Sequence, residues 1–141
     1  MSEQQAQVAP PAPAPDALTQ FFWDATAEHK LAILQCSSCK KFIHPPRPVC
    51  RFCLSTELAP TEVSGEAVLY TWTIAEQAFH PYFADKLPYV FATVNLVEQA
   101  GLRLVTNIVD VPHDELAAGM SLAVSFREVA PGLTLPMFTR P

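Results

Sequence analysis

The chain has 141 residues, half of them hydrophobic and 16% charged, which excludes a wholly disordered polymer and fits one domain or two very small ones. Its formal net charge of −5 argues against a general nucleic-acid or membrane-surface binder, whose affinity comes from basic residues neutralising phosphates. No apolar run approaches the roughly 18 residues of a membrane span, and Met1-Ser2-Glu3-Gln4-Gln5 lacks the basic, then apolar start of a leader. A cytoplasmic protein is expected, and there paired cysteines point to metal before disulfide.

Residues 1–15 carry four of the fourteen prolines and read as a disordered Pro/Ala-rich tail with too little apolar surface to offset its ordering entropy. Asp16 then offers an N-cap, and Leu18, Phe21, Phe22 and Ala25 follow at helical spacing, so a helix is expected to run to Glu28 or His29. Trp23 lies off that stripe, either folded back on its own domain or free to anchor a partner. Leu31-Ala32-Ile33-Leu34 predicts a short apolar strand that enters a cysteine segment.

All four cysteines fall in Cys36-Ser37-Ser38-Cys39 and Cys50-Arg51-Phe52-Cys53. Each C-x-x-C turn aims two sulfurs at one centre, and two turns complete a tetrahedron for Zn2+ with no position left for water or substrate. This pattern predicts a closed structural zinc site at Cys36, Cys39, Cys50 and Cys53; iron in a rubredoxin-like site and a redox dithiol are the alternatives. Lys40, Lys41, Arg47 and Arg51 make the segment a positive island, since the rest of the chain holds five basic and all fourteen acidic residues. Those cations offset the charge of four thiolates, and Arg47 is also a candidate phosphate ligand. His44 is expected to stay out of the metal site.

From Gly65 the apolar period changes to two. Val68, Tyr70, Trp72 and Ile74 are expected on the inner face of one strand, and Val90, Ala92, Val94 and Leu96 on that of the next. Leu102, Leu104 and Ile108 follow a turn at Ala100-Gly101. A helical segment over 112–118 precedes strands carrying Leu122, Val124 and Phe126, then Leu133, Leu135 and Met137. Five strands with a helix after the third is the order of an OB barrel. The fold expected is therefore mainly β: an N-terminal helix and rubredoxin-like zinc ribbon over 16–60, then a five-stranded OB-fold barrel over 61–141. Between the first two barrel strands, Phe79, His80, Tyr82 and Phe83 gather in a loop too long for a tight hairpin. They suggest a docking surface or the wall of an acyl channel, and no nucleophile or carboxylate stands beside His80 in sequence to make it catalytic.

Several ordered pieces together resemble the zinc-ribbon/OB-fold family of acyl-CoA-associated accessory proteins. They are Phe21-Phe22-Trp23, the Leu31 to Cys39 and Pro45 to Cys53 segments, Gly65-x-x-x-x-Tyr70-x-Trp72-Thr73, Leu87-Pro88-Tyr89-Val90, and Leu116-x-x-Gly119-Met120-x-x-x-Val124-x-Phe126. The resemblance implies a non-catalytic subunit that binds a thiolase-fold, lipid-transfer-protein-like enzyme acting on an acyl-CoA, by acyl transfer or by aldol cleavage of a steroid side-chain thioester. It implies structural zinc and a CoA thioester at the shared interface, with Trp23, Arg47, Phe79, His80, Tyr82 and Phe83 as candidates for partner or acyl-CoA contact. Lys40 and Leu54 depart from the family pattern, which often has Gly there to ease the turn around the metal. Two other classes compete: a single-stranded nucleic-acid-binding ribbon/OB module, and an independent enzyme such as a hydratase or transferase. The first is opposed by acidity and the second by the absence of a nucleophile motif, phosphate loop or open metal site.

Overall fold

The computed structural model describes residues 8–141. The part of the expected tail over 1–7 lies outside the described residues; residues 8–15 form no helix or strand, with Pro10 and Pro13 half-buried. Asp16 opens a turn. Its carboxylate accepts from the Leu18 and Thr19 N–H groups, both at 2.9 Å, and from the Thr19 hydroxyl at 3.0 Å. That hydroxyl, first among these partners, holds the Asp16 carboxyl below its ordinary pKa. Because this turn satisfies the first free N–H groups, the helix α1 begins later than the sequence suggested, at Gln20–Ala27. Leu18 is left exposed, and Phe22 and Thr26 are the residues α1 buries.

Strand β1 (Leu31–Cys36) is the divider of the molecule. Leu31 and Ile33 join the large core cluster beneath the barrel, whereas Leu34 and Cys36 join a small one with Ile43 and Cys50. The period of two along a strand makes one segment serve both cores. β1 is the centre of a three-stranded antiparallel sheet, between β2 (Phe42–Ile43) and β3 (Leu58–Val63). Pro60 sits on β3, which pairs only with β1 and can therefore lack one ladder donor.

The remaining strands close a barrel in the order β4-β5-β6-β8-β7, with β4 Glu66–Ala75, β5 Tyr89–Leu96, β6 Arg103–Ile108, β7 Ser121–Ala130 and β8 Leu133–Thr139. This is the five-stranded OB arrangement that the strand order implied. The helix expected over 112–118 is reduced to one 3-10 turn, His113–Glu115. On β5 and β6 the expected inner face is right: Val90, Ala92, Val94, Leu96, Leu104 and Ile108 are buried.

On β4 it is wrong. Ala67 and Leu69 are buried, while Val68 is half-buried and Tyr70 is exposed. A register shift between Leu69 and Thr71 then reverses the pleat, so Trp72, two residues on from exposed Tyr70, packs against the core. An extra residue in one strand turns the side chains beyond it to the other face, yet Ile74, also expected inside, lies past the shift and is exposed. Val124 and Phe126 pack at the core's margin, half-buried.

The β5–β6 turn fixes the ribbon to the barrel. Gln99 Oε1 accepts from the Phe42 N–H at 2.8 Å while its Nε2 donates to the Phe42 carbonyl at 3.1 Å. Glu98 Oε1 accepts from the Ser64 N–H at 2.8 Å and from its hydroxyl at 2.6 Å.

Candidate metal centre and adjoining grooves

The ligating atoms of Cys36, Cys39, Cys50 and Cys53 lie within 4.8 Å of one another. Two of the pairs are closer, Cys36–Cys53 at 3.6 Å and Cys39–Cys50 at 3.7 Å between sulfurs. A tetrahedron with Zn–S bonds of about 2.3 Å has edges of about 3.8 Å, so the four sulfurs fit a zinc ion. His44 stands outside the cluster and beside the Phe22 ring, 6.0 Å between centroids, where burial pushes its pKa below the ordinary imidazole value.

Backbone N–H groups point into each knuckle, and they split the thiols. The Cys39 N–H, ahead of weaker effects, brings Cys36 down to about 6. Burial opposes ionisation of Cys50, yet the N–H groups of Cys53 and Phe52 lower it. For Cys53 the Ser55 N–H favours the thiolate, but burial and the three neighbouring sulfurs win and push it up to about 12. Four negative charges cannot share this space without a cation among them, so a divalent ion must displace the remaining protons as it binds.

Both knuckles close through left-handed residues, Lys40 at φ 64° and Leu54 at φ 65°. Their N–H groups donate to the Cys36 and Cys50 carbonyls at 2.9 Å, which is why the turn needs that conformation. Leu54 is 77% exposed, so its side chain contributes little packing to offset the strain. Leu54→Gly is expected to stabilise the holo ribbon by about 1 kcal/mol, read as slower zinc transfer to a chromophoric chelator. Equal or faster transfer would contradict this.

Beside the knuckles, a groove of about 730 Å³ separates α1 and the ribbon from the barrel seam between β6 and β8. Phe22, Trp23 and His44 line one side and Val105, Leu135 and Met137 the other, with Arg51 and Arg103 adding charge. This size and mainly apolar lining with few polar groups is that of a ligand cleft. Trp23 is half-buried and meets Phe22 edge-to-face at 5.1 Å. Arg51 lies over the Phe52 ring at 4.8 Å and Arg103 over Tyr70 at 4.0 Å. Arg47 is exposed and does not line the groove. Arg103 and Asn107, which belong to no sequence motif, both line it.

The aromatics of the 77–88 loop differ in exposure. Phe79 is 89% exposed, but Tyr82 and Phe83 are half-buried in a 3-10 turn (Pro81–Phe83) and pack edge-to-face at 5.0 Å. Phe83 also packs on Tyr89 at 5.2 Å. His80 caps this turn, its Nδ1 accepting from the Tyr82 N–H at 3.1 Å. Tyr82 and Phe83 line a second cavity of about 280 Å³ that shares Asn107, Leu135 and Met137 with the first groove. Trp23 and the loop therefore face different grooves divided by one wall. Among the described residues no helix is long and apolar enough to cross a membrane.

Comparison with known proteins agrees with this geometry. Residues 23–59 match the family model described as the ChsH2 rubredoxin-like zinc ribbon domain, and residues 60–127 the ChsH2 C-terminal OB-fold domain. A "probable enoyl-CoA hydratase alpha subunit" of Thermomonospora curvata is 36% identical over 97% of this chain. A "DUF35 domain-containing scaffold protein" of Pyrococcus furiosus is 30% identical over 62% of it. The chain spans 42% and 62% of the lengths of these two relatives. A solved structure described as an "Ltp2-ChsH2(DUF35) aldolase" matches with a TM-score of 0.83 and 36% identity, over 92% of this chain and 98% of the other. A DUF35-family protein of unknown function from Sulfolobus solfataricus shares the fold, with a TM-score of 0.59 at 15% identity. From its paired knuckles to its barrel, the chain belongs to the ChsH2 family of zinc-ribbon and OB-fold proteins.

Proposed function

We propose that this chain is a zinc-stabilised, non-catalytic accessory subunit that binds a thiolase-fold enzyme and helps it act on an acyl-CoA. Acyl transfer and aldol cleavage of a steroid side-chain CoA thioester are the reactions in view. The observation that supports this reading most is the likeness to a chain of the solved Ltp2-ChsH2(DUF35) aldolase, over nearly the full length of both chains. Residues 16–60 act in it as the helix and ribbon unit and residues 61–141 as the barrel.

The chemistry of the site supports a helper over a catalyst. Four thiolates close the metal's coordination sphere, leaving no position for substrate. His80 Nδ1 is committed to the backbone of its own turn. The groove's apolar walls with Arg51 and Arg103 suit a ligand that joins an acyl arm to phosphates, and Arg47 lies on the same basic segment. In this reading Trp23, Phe79, His80, Tyr82 and Phe83 face the enzyme or its thioester. Apart from Arg103 in the groove, the barrel's cations have other partners. Lys86 lies over Tyr82 at 3.9 Å, and Arg127 and Arg140 pair with Asp110 and Glu115. That speaks against the nucleic-acid alternative, which needs a row of cations presented to phosphates.

A Phe79→Ala/Tyr82→Ala variant is expected to keep its zinc and its fold but to retain less of a co-expressed thiolase-fold enzyme in a pull-down. Losing two interface aromatics costs about 2 kcal/mol or more, a thirtyfold weakening. Undiminished capture would contradict the assignment of this loop. The Thermomonospora relative's name favours a second reading, a hydratase subunit. Preferential capture of a hydratase over a thiolase-fold enzyme would select it.

A further inference from the structure

The sequence reads residues 8–15 as a tail, yet they lie along the barrel. Their burial has a period of three: Pro10 and Pro13 are half-buried, and Ala9, Pro11, Ala12, Ala14 and Pro15 are exposed. The segment carries no helix, strand or turn. Three residues per turn is the repeat of a polyproline II helix, whose φ the proline ring sets in advance. One edge of such a helix is therefore turned to the protein.

Pro10 of that edge shares a cavity with aromatic rings. With its exposed neighbour Pro11 it lines the 280 Å³ cavity that Tyr82, Phe83 and Tyr89 also line. Val8, Ala9 and Pro10 also line a neighbouring cleft of about 670 Å³ with Lys86, Val129 and Pro131. The aromatic floor is built rather than incidental. The Pro81–Phe83 turn is capped by His80, Phe83 is packed between Tyr82 and Tyr89, and Lys86 Nζ donates to the Tyr82 carbonyl at 3.1 Å. Grooves floored by aromatic rings bind polyproline II segments because a preformed, extended ligand loses little entropy on docking.

We propose that this groove is a polyproline II-binding surface whose occupant is the chain's own segment 8–13, a strap that a partner must displace to reach Tyr82 and Phe83. The displacement rests on the function proposed above; the strap itself does not. While the strap is seated, the fraction of chain competent to bind through this loop is reduced, and the apparent affinity falls by that fraction.

The test uses the full chain with Pro10→Gly/Pro13→Gly, which removes both inward rings and frees the backbone. Amide NMR signals of Tyr82, Lys86 and Val129 are expected to move, those of the zinc knuckles to stay. A synthetic peptide of residues 8–15 should then move them back saturably. The variant should also bind a thiolase-fold enzyme about threefold or more tightly than the unmodified chain. Unmoved signals at Tyr82 and Val129 overturn the strap, whatever the enzyme does. Moved signals with unchanged affinity overturn its gating role. If neither form binds the enzyme, the function proposed above fails and the gating role falls with it, while the NMR result alone decides the strap.

Discussion

Cys50→Ala is expected to abolish stoichiometric zinc and unfold the ribbon while the barrel stays folded. Cys50 is fully buried, and its sulfur sits 3.7 Å from that of Cys39, so removing it opens the tetrahedron and breaks the small core together. That core has four buried members, Leu34, Cys36, Ile43 and Cys50, two of them metal ligands. Fixing a residue costs about 1–2 kcal/mol of backbone entropy, and burying a large aliphatic side chain returns about 1.5–3 kcal/mol. Two aliphatic side chains cannot hold the whole knuckle segment; metal binding, about 10–16 kcal/mol in comparable small zinc domains, supplies the difference. The barrel's core is a separate cluster, reached by the other face of β1 through Leu31 and Ile33. Elemental analysis with limited proteolysis checks this: metal falls below one per chain, and cleavage concentrates within 37–55. A Cys50→Ala protein with full zinc and unchanged protease resistance would contradict the assignment.

Gly65→Ala is expected to destabilise the fold by about 2–4 kcal/mol. Gly65 joins β3 to β4 at φ 79°, a conformation that L side chains rarely adopt. A Cβ there would stand 2.3 Å from Val124 Cγ1 and 3.1 Å from Val124 Cβ. The backbone cannot withdraw, because the Gly65 carbonyl accepts from the Val124 N–H at 2.9 Å. Strain of about 1 kcal/mol and overpacking of about 1–3 kcal/mol therefore add, which lowers the melting temperature by on the order of 10 °C. Gly119 is the control: it has φ 82° but nothing within 4 Å of its ideal Cβ. Gly119→Ala should cost only the strain. Calorimetry on both variants checks the pair, and equal losses would contradict the role of the Val124 contact.

What the sequence disclosed follows from what is local. The C-x-x-C pairs declare the metal centre, since the spacing alone aims the sulfurs. The clean alternation on β5 and β6 declares the inner face because those strands pair in unbroken register. On β4 the alternation continues through Val68, Tyr70 and Trp72 in the sequence, but the chain inserts a bulge that no residue type announces. Strand β3 escaped notice because Leu58-Ala59-Pro60-Thr61-Glu62-Val63 contains a proline and buries only Val63. Helix α1 starts late because the Asp16–Thr19 pair satisfies its own turn first. The grooves have no local signal at all. Trp23, Arg51, Arg103 and Met137 come from four distant segments that only the closure of β6 against β8 brings to one cleft.

In the function proposed above, this chain acts by completing another enzyme. The most direct measurement is turnover of an acyl-CoA by a thiolase-fold enzyme from the same genome, assayed alone, with this chain, and with this chain as the sole protein. No turnover is expected from the chain alone, and turnover by the pair is expected well above that of the enzyme alone. Full activity of the enzyme without the chain, or turnover by the chain by itself, would contradict it.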